Sequence, residues 1–486
     1  MQVRTSARVC VFLAGLLSWH CGGNTPEQAP VASPDAGNKP DAGPPPAAAK
    51  DAGSKVDAKA PEDVDPEPEL TDEARTALKA LRYTSAAAPK DPSNKYADVP
   101  AARALGQRLF FEAALSGRLL EPDNDGSAST LGKAGEAGKV SCAGCHVPDS
   151  NFVDTRSPHG QISLATQWTQ RRTPTLLEVG FAPLYNWDGR RDSIWNQSMG
   201  VFESVNEFNS ARLFIAQQVY KLYRADYEAV FGAMPALDDA AKFPPLTGLQ
   251  AGCAAGPTAP CRGKPGDNAD YDKMSPEAQT AVTQVTVNVA KALAAYVAQL
   301  RCGPGRFEKW LDGDASALSR SEQRGAALFV GRAQCVSCHS GPNLTDHKFH
   351  NTGLRPTTVA VAFTDTNDRG AAEGIAAAIE DPLNSTGKFS DGKRDGLPGA
   401  VTPEMEGAFR TPTLRCVSKH PSFMHTGQLV TLAQVVRFFS RGGDPAGFPG
   451  QNELKPLNLS EREQADLVAF MSAFDGNGPD PALLER

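Results

Sequence analysis

Two Cys-x-x-Cys-His motifs, at residues 142–146 and 335–339, constrain the fold of this chain more than any other feature. Two thiols at this spacing can add to the two vinyl groups of one haem, and the adjacent histidine can then donate a ring nitrogen to the iron. A Cys-x-x-Cys pair alone is also compatible with a redox dithiol or with half of a zinc site. Because the pairs lie far apart in sequence and each has its own histidine, the motifs predict two covalent c-type haems.

Six residues follow from this prediction as the sites of haem attachment. They are Cys142, Cys145 and His146 for the first haem, and Cys335, Cys338 and His339 for the second. His146 and His339 are the predicted iron ligands.

The N-terminal segment predicts export. Residues 1–21 combine Arg4 and Arg8 with a short apolar run, as a signal peptide does. Cys21 closes this run in a way that resembles a lipoprotein signal, so simple cleavage and a lipid anchor at Cys21 both stay open. Residues 22–70 are rich in Pro, Ala and Asp and lack the apolar surface that would offset the entropy of ordering, which predicts a disordered linker. We therefore expect a protein of the periplasm or cell envelope.

Charge argues against nucleic-acid binding, and hydropathy argues against a membrane-spanning segment. The formal net charge of −7 lies mostly in the N-terminal linker, and a sequence pI near 5.7 gives no support for nucleic-acid binding. No apolar run in the sequence reaches the length of a membrane span.

From residue 71 onwards the pattern is mainly helical and duplicated. The apolar positions Val285, Val289 and Leu293 predict an amphipathic helix, and capping-box signatures at 319–322, 431–434 and 460–463 predict three helix starts. A Gly-x-x-Leu-Phe segment precedes each haem motif, at 106–110 and at 325–329. We predict a mainly α fold of two cytochrome c-like helical domains, 71–300 and 301–486, each with one covalent haem.

Several strings resemble the bacterial di-haem cytochrome c peroxidase and MauG superfamily. They occur in the family's order and cover most of residues 100–476. The strings are CAGCHVPDSNFVD (142–154), RRTPTLLEVGFAPLYNWDGRRDSIWNQ (171–197), CVSCHSGPNLTD (335–346), FHNTG (349–353), FRTPTLR (409–415), FMHTG (423–427) and TLAQVVRFFSRGG (431–443).

The resemblance implies roles for four residues beyond the haem motifs. The first haem would react with peroxide, Gln197 and Glu207 would be its catalytic glutamine and glutamate, and Trp187 would lie between the haems and assist electron transfer. A carboxylate at such a site can move a proton between the two peroxide oxygens. The second haem would receive electrons from a donor, and His425 would lie near the haems.

Three positions depart from the family pattern. Phe439 stands where the resemblance implies a Met or Tyr ligand to the second iron, so that iron is either five-coordinate or bound by another residue. Arg172 replaces the Asn that would hold Ca²⁺ between the domains, and a guanidinium can fill the place of the cation; calcium is therefore an open and disfavoured prediction. His159 is the nearest candidate for a loop histidine that blocks the first haem, but its spacing differs, so an open first haem is expected.

Cysteines outside the haem motifs can form disulfides in an exported protein. Cys253, Cys261, Cys302 and Cys416 allow three pairings, among them Cys253–Cys261 with Cys302–Cys416.

The predicted function is a di-haem peroxidase that reduces hydrogen peroxide with electrons from a small cytochrome c or cupredoxin. Two alternatives are a MauG-like oxidase, which uses high-valent haem iron to modify a partner protein, and a non-catalytic di-haem electron carrier. A homodimer is a further expectation from the resemblance.

Overall fold

Helix-start signals in the sequence coincide with helix starts in the computed structural model, which describes residues 70–156, 162–244, 263–356 and 367–486. Reciprocal capping boxes form at Ser319 with Glu322 and at Ser460 with Glu463, as predicted. At Thr431 only half of the box forms. The Thr431 hydroxyl accepts from the Gln434 amide at 3.1 Å, whereas the Gln434 side chain accepts from the Val430 amide at 2.7 Å.

The described residues are mainly helical, which confirms the predicted class. The α-helices are α1 (Asp72–Ala80), α2 (Pro100–Phe110), α3 (Cys142–Cys145), α4 (Ile194–Glu203), α5 (Arg212–Phe231), α6 (Asp270–Lys273), α7 (Pro276–Val297), α8 (Arg306–Leu311), α9 (Arg320–Val330), α10 (Ala371–Glu380), α11 (Leu432–Ser440) and α12 (Glu461–Met471). Two short strands, β1 (Phe349–His350) and β2 (Phe409–Arg410), pair antiparallel, with Phe349 opposite Arg410.

Two helix crossings explain the duplicated Gly-x-x-Leu-Phe segments. A Cβ built at Gly106 in α2 would lie 1.9 Å from the carbonyl oxygen of Ala292 in α7. A Cβ at Gly325 in α9 would lie 2.1 Å from the carbonyl oxygen of Asp466 in α12. Gly106 therefore lets α2 approach the backbone of α7 closely, and Gly325 does the same for α9 and α12.

The buried side chains form two large clusters beside these crossings. The first cluster includes Leu105, Leu109 and Leu293, with the Phe110 and Tyr296 ring centroids 5.2 Å apart. The second is built on aromatic rings, with the Phe329 and Phe470 centroids 5.6 Å apart. Aromatic pairs at this separation add to the stabilisation that burial alone supplies.

Of the pairing that joins Cys302 to Cys416 and Cys253 to Cys261, the structure shows the first bond. Cys302 and Cys416 are bonded, with their Cα atoms 5.8 Å apart, while Cys253 and Cys261 lie outside the described residues. His159, the signal segment with Cys21, and residues 22–69 of the predicted linker also lie outside them. Within the described ranges, no helix is both long and apolar enough to cross a membrane.

Candidate haem centres and peroxide site

Both haem motifs close the same backbone hydrogen bond and orient their histidines in the same way. The His146 amide donates to the Cys142 carbonyl at 2.8 Å, and the His339 amide to the Cys335 carbonyl at 2.9 Å. The Nδ1 atom of His146 lies 3.0 Å from the Phe152 carbonyl oxygen, and that of His339 lies 3.0 Å from the Leu344 carbonyl oxygen. Because a carbonyl can only accept, Nδ1 carries the proton in both rings. Nε2 is left as the free donor atom for a metal.

Each motif lines its own cavity. A cavity of about 220 Å³ is bordered by Cys142, Cys145 and His146, and one of about 610 Å³ by Cys335, Cys338 and His339. The two cysteine pairs therefore do not combine into one four-ligand zinc site.

The residues of both cavities fit a covalently attached haem. All four motif cysteines are free thiols. Burial raises the pKa values of Cys142, Cys145 and Cys335 to about 12, so these thiols are neutral at physiological pH. Apolar side chains, among them Phe110 and Val140, complete the wall of the first cavity. Each cavity thus combines two thiols, a motif imidazole with a free Nε2, and apolar side chains.

Helix α4 and the turn after it bring two polar side chains to the first cavity. Ile194, Gln197 and Val201 lie on one face of α4, at i, i+3 and i+7, and all three line the cavity. Glu207 follows in a turn that also lines it. Neither the Gln197 amide nor the Glu207 carboxylate has a hydrogen-bond partner among the described residues.

Backbone bonds on two sides hold the turn that carries Glu207. The Thr166 amide donates to the Glu207 carbonyl at 3.3 Å, and the Gly117 amide donates to the Phe208 carbonyl at 2.8 Å. A Cβ at Gly117 would lie only 1.8 Å from the carbonyl oxygen of Asn209. The close approach of Gly117 to Asn209 therefore helps to fix the position of the turn that carries Glu207.

Trp187 borders both cavities and is held between the two halves of the chain. It is 7% exposed, and its indole Nε1 donates to the Arg172 carbonyl at 2.7 Å. The Arg410 amide donates to the Trp187 carbonyl at 2.8 Å. Arg172 and Arg410 also border both cavities.

Sequence reasoning missed Arg410, although a signal for it exists. The pentapeptide Arg-Thr-Pro-Thr-Leu occurs at 172–176 and again at 410–414. In each copy the second threonine caps a loop beside its haem motif: Thr175 donates to the Asn151 carbonyl at 2.6 Å, and Thr413 to the Asn343 carbonyl at 2.7 Å. The two copies meet at Trp187, so the repeat marks the wall shared by the cavities.

The second cavity contains Phe439 and His425. Leu432, Val435, Val436 and Phe439 of α11 all face it, so the position predicted for an axial ligand carries a phenyl ring. His425 stacks on Phe409 with centroids 3.5 Å apart, and burial lowers its pKa to about 3. His425 is therefore a neutral wall residue of this cavity and packs against strand β2.

Comparisons with known proteins agree with this architecture. The family model of di-haem cytochrome c peroxidases matches residues 100–247. The methylamine utilization protein MauG of Methylorubrum extorquens is 29% identical over 402 residues, which cover 82% of this chain and 84% of the relative. Cytochrome-c peroxidase IdrP1 of Denitromonas iodatirespirans is 30% identical over 391 residues, covering 78% of this chain and 84% of the relative. The chain belongs to the di-haem cytochrome c peroxidase family.

Solved structures show the same fold. The diheme peroxidase BthA of Burkholderia thailandensis superposes with a TM-score of 0.55 at 19% identity, covering 82% of this chain and 92% of that structure. A MauG-like protein associated with microbial copper homeostasis gives a TM-score of 0.52 at 20% identity, covering 81% and 94%. The resemblance read from the motifs is thus confirmed, together with the assignment of a peroxidase-type oxidoreductase. Membership of this family implies two c-type haems.

Proposed function

We propose that this chain reduces hydrogen peroxide to water in the first cavity with electrons delivered through the second. The observation that carries the proposal is the pairing of Gln197 and Glu207. Among the residues that the structure describes, neither side chain has a hydrogen-bond partner, and both border the same cavity as Cys142, Cys145 and His146. Polar groups left free in a cavity with an apolar wall are available to a small polar substrate.

Each residue of the first cavity has a distinct task in this proposal. A haem bound there supplies the electrons that cleave the O–O bond. Glu207 takes a proton from one peroxide oxygen and returns it to the other, which makes the leaving oxygen a neutral water. Gln197 donates a hydrogen bond that orients peroxide toward Glu207. The reaction consumes one H₂O₂, two electrons and two protons and yields two H₂O.

Trp187 and the second cavity provide the route for electrons. Trp187 borders both cavities. Its indole donates to the Arg172 carbonyl, and its own carbonyl accepts from the Arg410 amide, so it joins segments from both halves of the chain. We propose that residues 71–300 form the peroxide-reacting haem domain and residues 301–486 the electron-accepting one. The electron donor would be a small cytochrome c or cupredoxin outside the cytoplasm, and lipidation at Cys21 would hold the enzyme at the membrane.

Calcium is not needed in this proposal. Arg172 is 6% exposed at the wall that both cavities share, and it brings a fixed positive charge to the place predicted for the ion. Peroxide turnover should therefore be the same after treatment with a calcium chelator as after addition of Ca²⁺. A loss of turnover that added Ca²⁺ restores would contradict this.

Substitution of Glu207 tests the proposed function. Fully haem-loaded Glu207→Gln should lose roughly 10²–10⁴-fold in peroxide turnover with a reduced small cytochrome, because the amide cannot carry the proton. Glu373→Gln, which removes an exposed carboxylate from α10, is the matched control and should leave turnover unchanged. Equal turnover in wild type and Glu207→Gln would overturn the role of Glu207, and no turnover in wild type would overturn the function.

A further inference from the structure

Two adjacent arginines, Arg171 and Arg172, have opposite surroundings. The Arg171 guanidinium lies 2.5 Å from an Asp188 carboxylate oxygen and 2.6 Å from one of Asp368. Arg172 has no carboxylate within ion-pair distance among the described residues. Its Nε donates to the Ser422 hydroxyl at 2.9 Å, and its buried Nη2 has no hydrogen-bond partner.

Arg410, at the matching position of the second Arg-Thr-Pro-Thr-Leu copy, is half-buried. Its Nε donates to the Asn186 carbonyl at 3.2 Å, and no carboxylate of the described residues pairs with it. Burial lowers the pKa values of Arg172 and Arg410 to about 10. Both side chains border both cavities.

The groups that face these two guanidiniums do not neutralise them. Asp154 is the carboxylate whose charge acts on Arg172. It already forms an ion pair with Arg156, with nitrogen and oxygen 2.9 Å apart. His420 also faces Arg172, and burial lowers its pKa to about 3, so it is neutral. Tyr185 and His347 are the ionisable groups beside Arg410. Burial raises the pKa of Tyr185 to about 12 and lowers that of His347 to about 4, so both are neutral as well.

A buried cation without an anion is costly. The desolvation penalty of a charged group amounts to several kcal/mol in a protein interior unless a counter-charge or several hydrogen bonds offset it. Guanidinium groups bind carboxylates in a two-pronged geometry, which makes a carboxylate ligand the natural partner. Each haem carries two carboxylates on its propionate side chains, and the cavities that fit the haems share the wall formed by Arg172 and Arg410.

We propose that Arg172 and Arg410 form a shared carboxylate-binding pair, which holds propionate groups of both haems at the wall between the cavities. The inference rests on the proposed function only in requiring that both haems are present. Positive charge at this wall favours the reduced form of each haem, because reduction adds a negative charge. The pair therefore raises the midpoint potentials of both haems together, and each haem responds to substitution of either arginine.

Spectroelectrochemical titration of the full-length holoprotein tests this proposal. In both Arg172→Gln and Arg410→Gln, the midpoint potentials of both haems should shift downward, whereas Arg172→Lys, which keeps the charge, should shift them less. Arg369→Gln is the control, because Arg369 is an exposed residue that pairs with Glu406 at 2.8 Å and borders neither cavity. Unchanged potentials in both glutamine variants, at two haems per chain, would overturn the proposal.

A second measurement keeps the test valid if the glutamine variants do not fold. Resonance Raman bands of the propionate groups should differ between wild type and Arg172→Lys, because the lysine cannot form the two-pronged contact. Identical propionate bands would overturn the proposal. Failure of the proposed function is recognised separately, since a protein without peroxide turnover still reports its haem potentials and propionate bands.

Discussion

At the residue scale, the histidines of the two haem motifs are oriented by backbone carbonyls that lie outside the motifs. Phe152 and Leu344, which accept the Nδ1 protons of His146 and His339, both have positive φ angles, 57° and 51°. Bulky residues seldom adopt this conformation. The cysteines and histidines of the motifs could be predicted from their spacing. The two carbonyls that accept from the histidines could not be predicted, because Phe152 and Leu344 adopt backbone conformations that bulky residues disfavour.

Gly117 provides a residue-scale prediction for the peroxide site. A side chain at this position collides with the carbonyl of Asn209 and so displaces the turn that carries Glu207. Gly117→Ala should lower peroxide turnover by about 10²-fold, the order of loss expected from a misplacement near 1 Å. Steady-state turnover at matched haem content measures the effect.

Gly399→Ala is the control for this prediction, since nothing lies within 4 Å of the added methyl group. Wild-type turnover in Gly117→Ala would contradict the view that the Gly117 contact positions Glu207.

Phe439 provides a second prediction at this scale. A thioether at this position can reach the second iron if the axial site there is open, and a methionine ligand raises the reduction potential of a c-type haem. Phe439→Met should therefore raise the midpoint potential of the second haem, measured by spectroelectrochemistry. Phe438→Met, at a neighbouring core position outside the cavity, should not. An unchanged potential in Phe439→Met would indicate that another residue already occupies the axial position.

At the scale of elements, the repeated glycines show why the two halves of the chain share a motif. Helices α2 and α7 cross at Gly106, and helices α9 and α12 cross at Gly325, with backbone carbonyls in the space a side chain would take. The sequence indicated the repeat but not its partner helices, because the atom that each glycine meets is a main-chain oxygen, that of Ala292 or that of Asp466. Such contacts leave no trace in residue type.

Alanine at either glycine should destabilise the fold. Gly106→Ala and Gly325→Ala force a methyl group against a carbonyl oxygen and should each lower the free energy of unfolding by about 1–3 kcal/mol, the usual cost of overpacking. Denaturant unfolding of the holoprotein measures this, with Gly399→Ala as control. Values equal to wild type would show that the helices separate at no cost.

The capping box of α12 predicts a pH-dependent contribution to stability. Hydrogen bonds from Arg332 and the Ser460 amide lower the pKa of Glu463 to about 2, below its unfolded value near 4.3. Its contribution is therefore complete above pH ~4.3 and is lost as the pH falls towards 2. Glu463→Gln should be less stable than wild type at pH 7, and the difference should shrink in acid.

Unfolding curves at pH 7 and pH 3 test this, and Glu461→Gln is the control in the same helical turn. A stability difference for Glu463→Gln that does not change with pH would contradict the account.

At the scale of the whole molecule, the relation between the two cavities was the least predictable feature. Local signals are sufficient for the haem motifs, the helix caps and the mainly α class. The shared wall depends on Trp187, Arg172 and Arg410. The Trp187 indole donates to the Arg172 carbonyl, and the amide of Arg410, from a distant segment, donates to the Trp187 carbonyl. The repeated pentapeptide indicated that 172–176 and 410–414 are equivalent, but only the fold brings the two copies together.

Oxidation of the fully reduced protein by substoichiometric peroxide is the most direct test of the central claim. If peroxide is reduced in the first cavity by electrons from both haems, one equivalent of H₂O₂ should oxidise both haems of one chain. Glu207→Gln should slow this oxidation without changing the stoichiometry. Rapid-mixing absorption spectroscopy follows both haems at once. Oxidation of only one haem per H₂O₂, or equal rates in wild type and Glu207→Gln, would contradict the account.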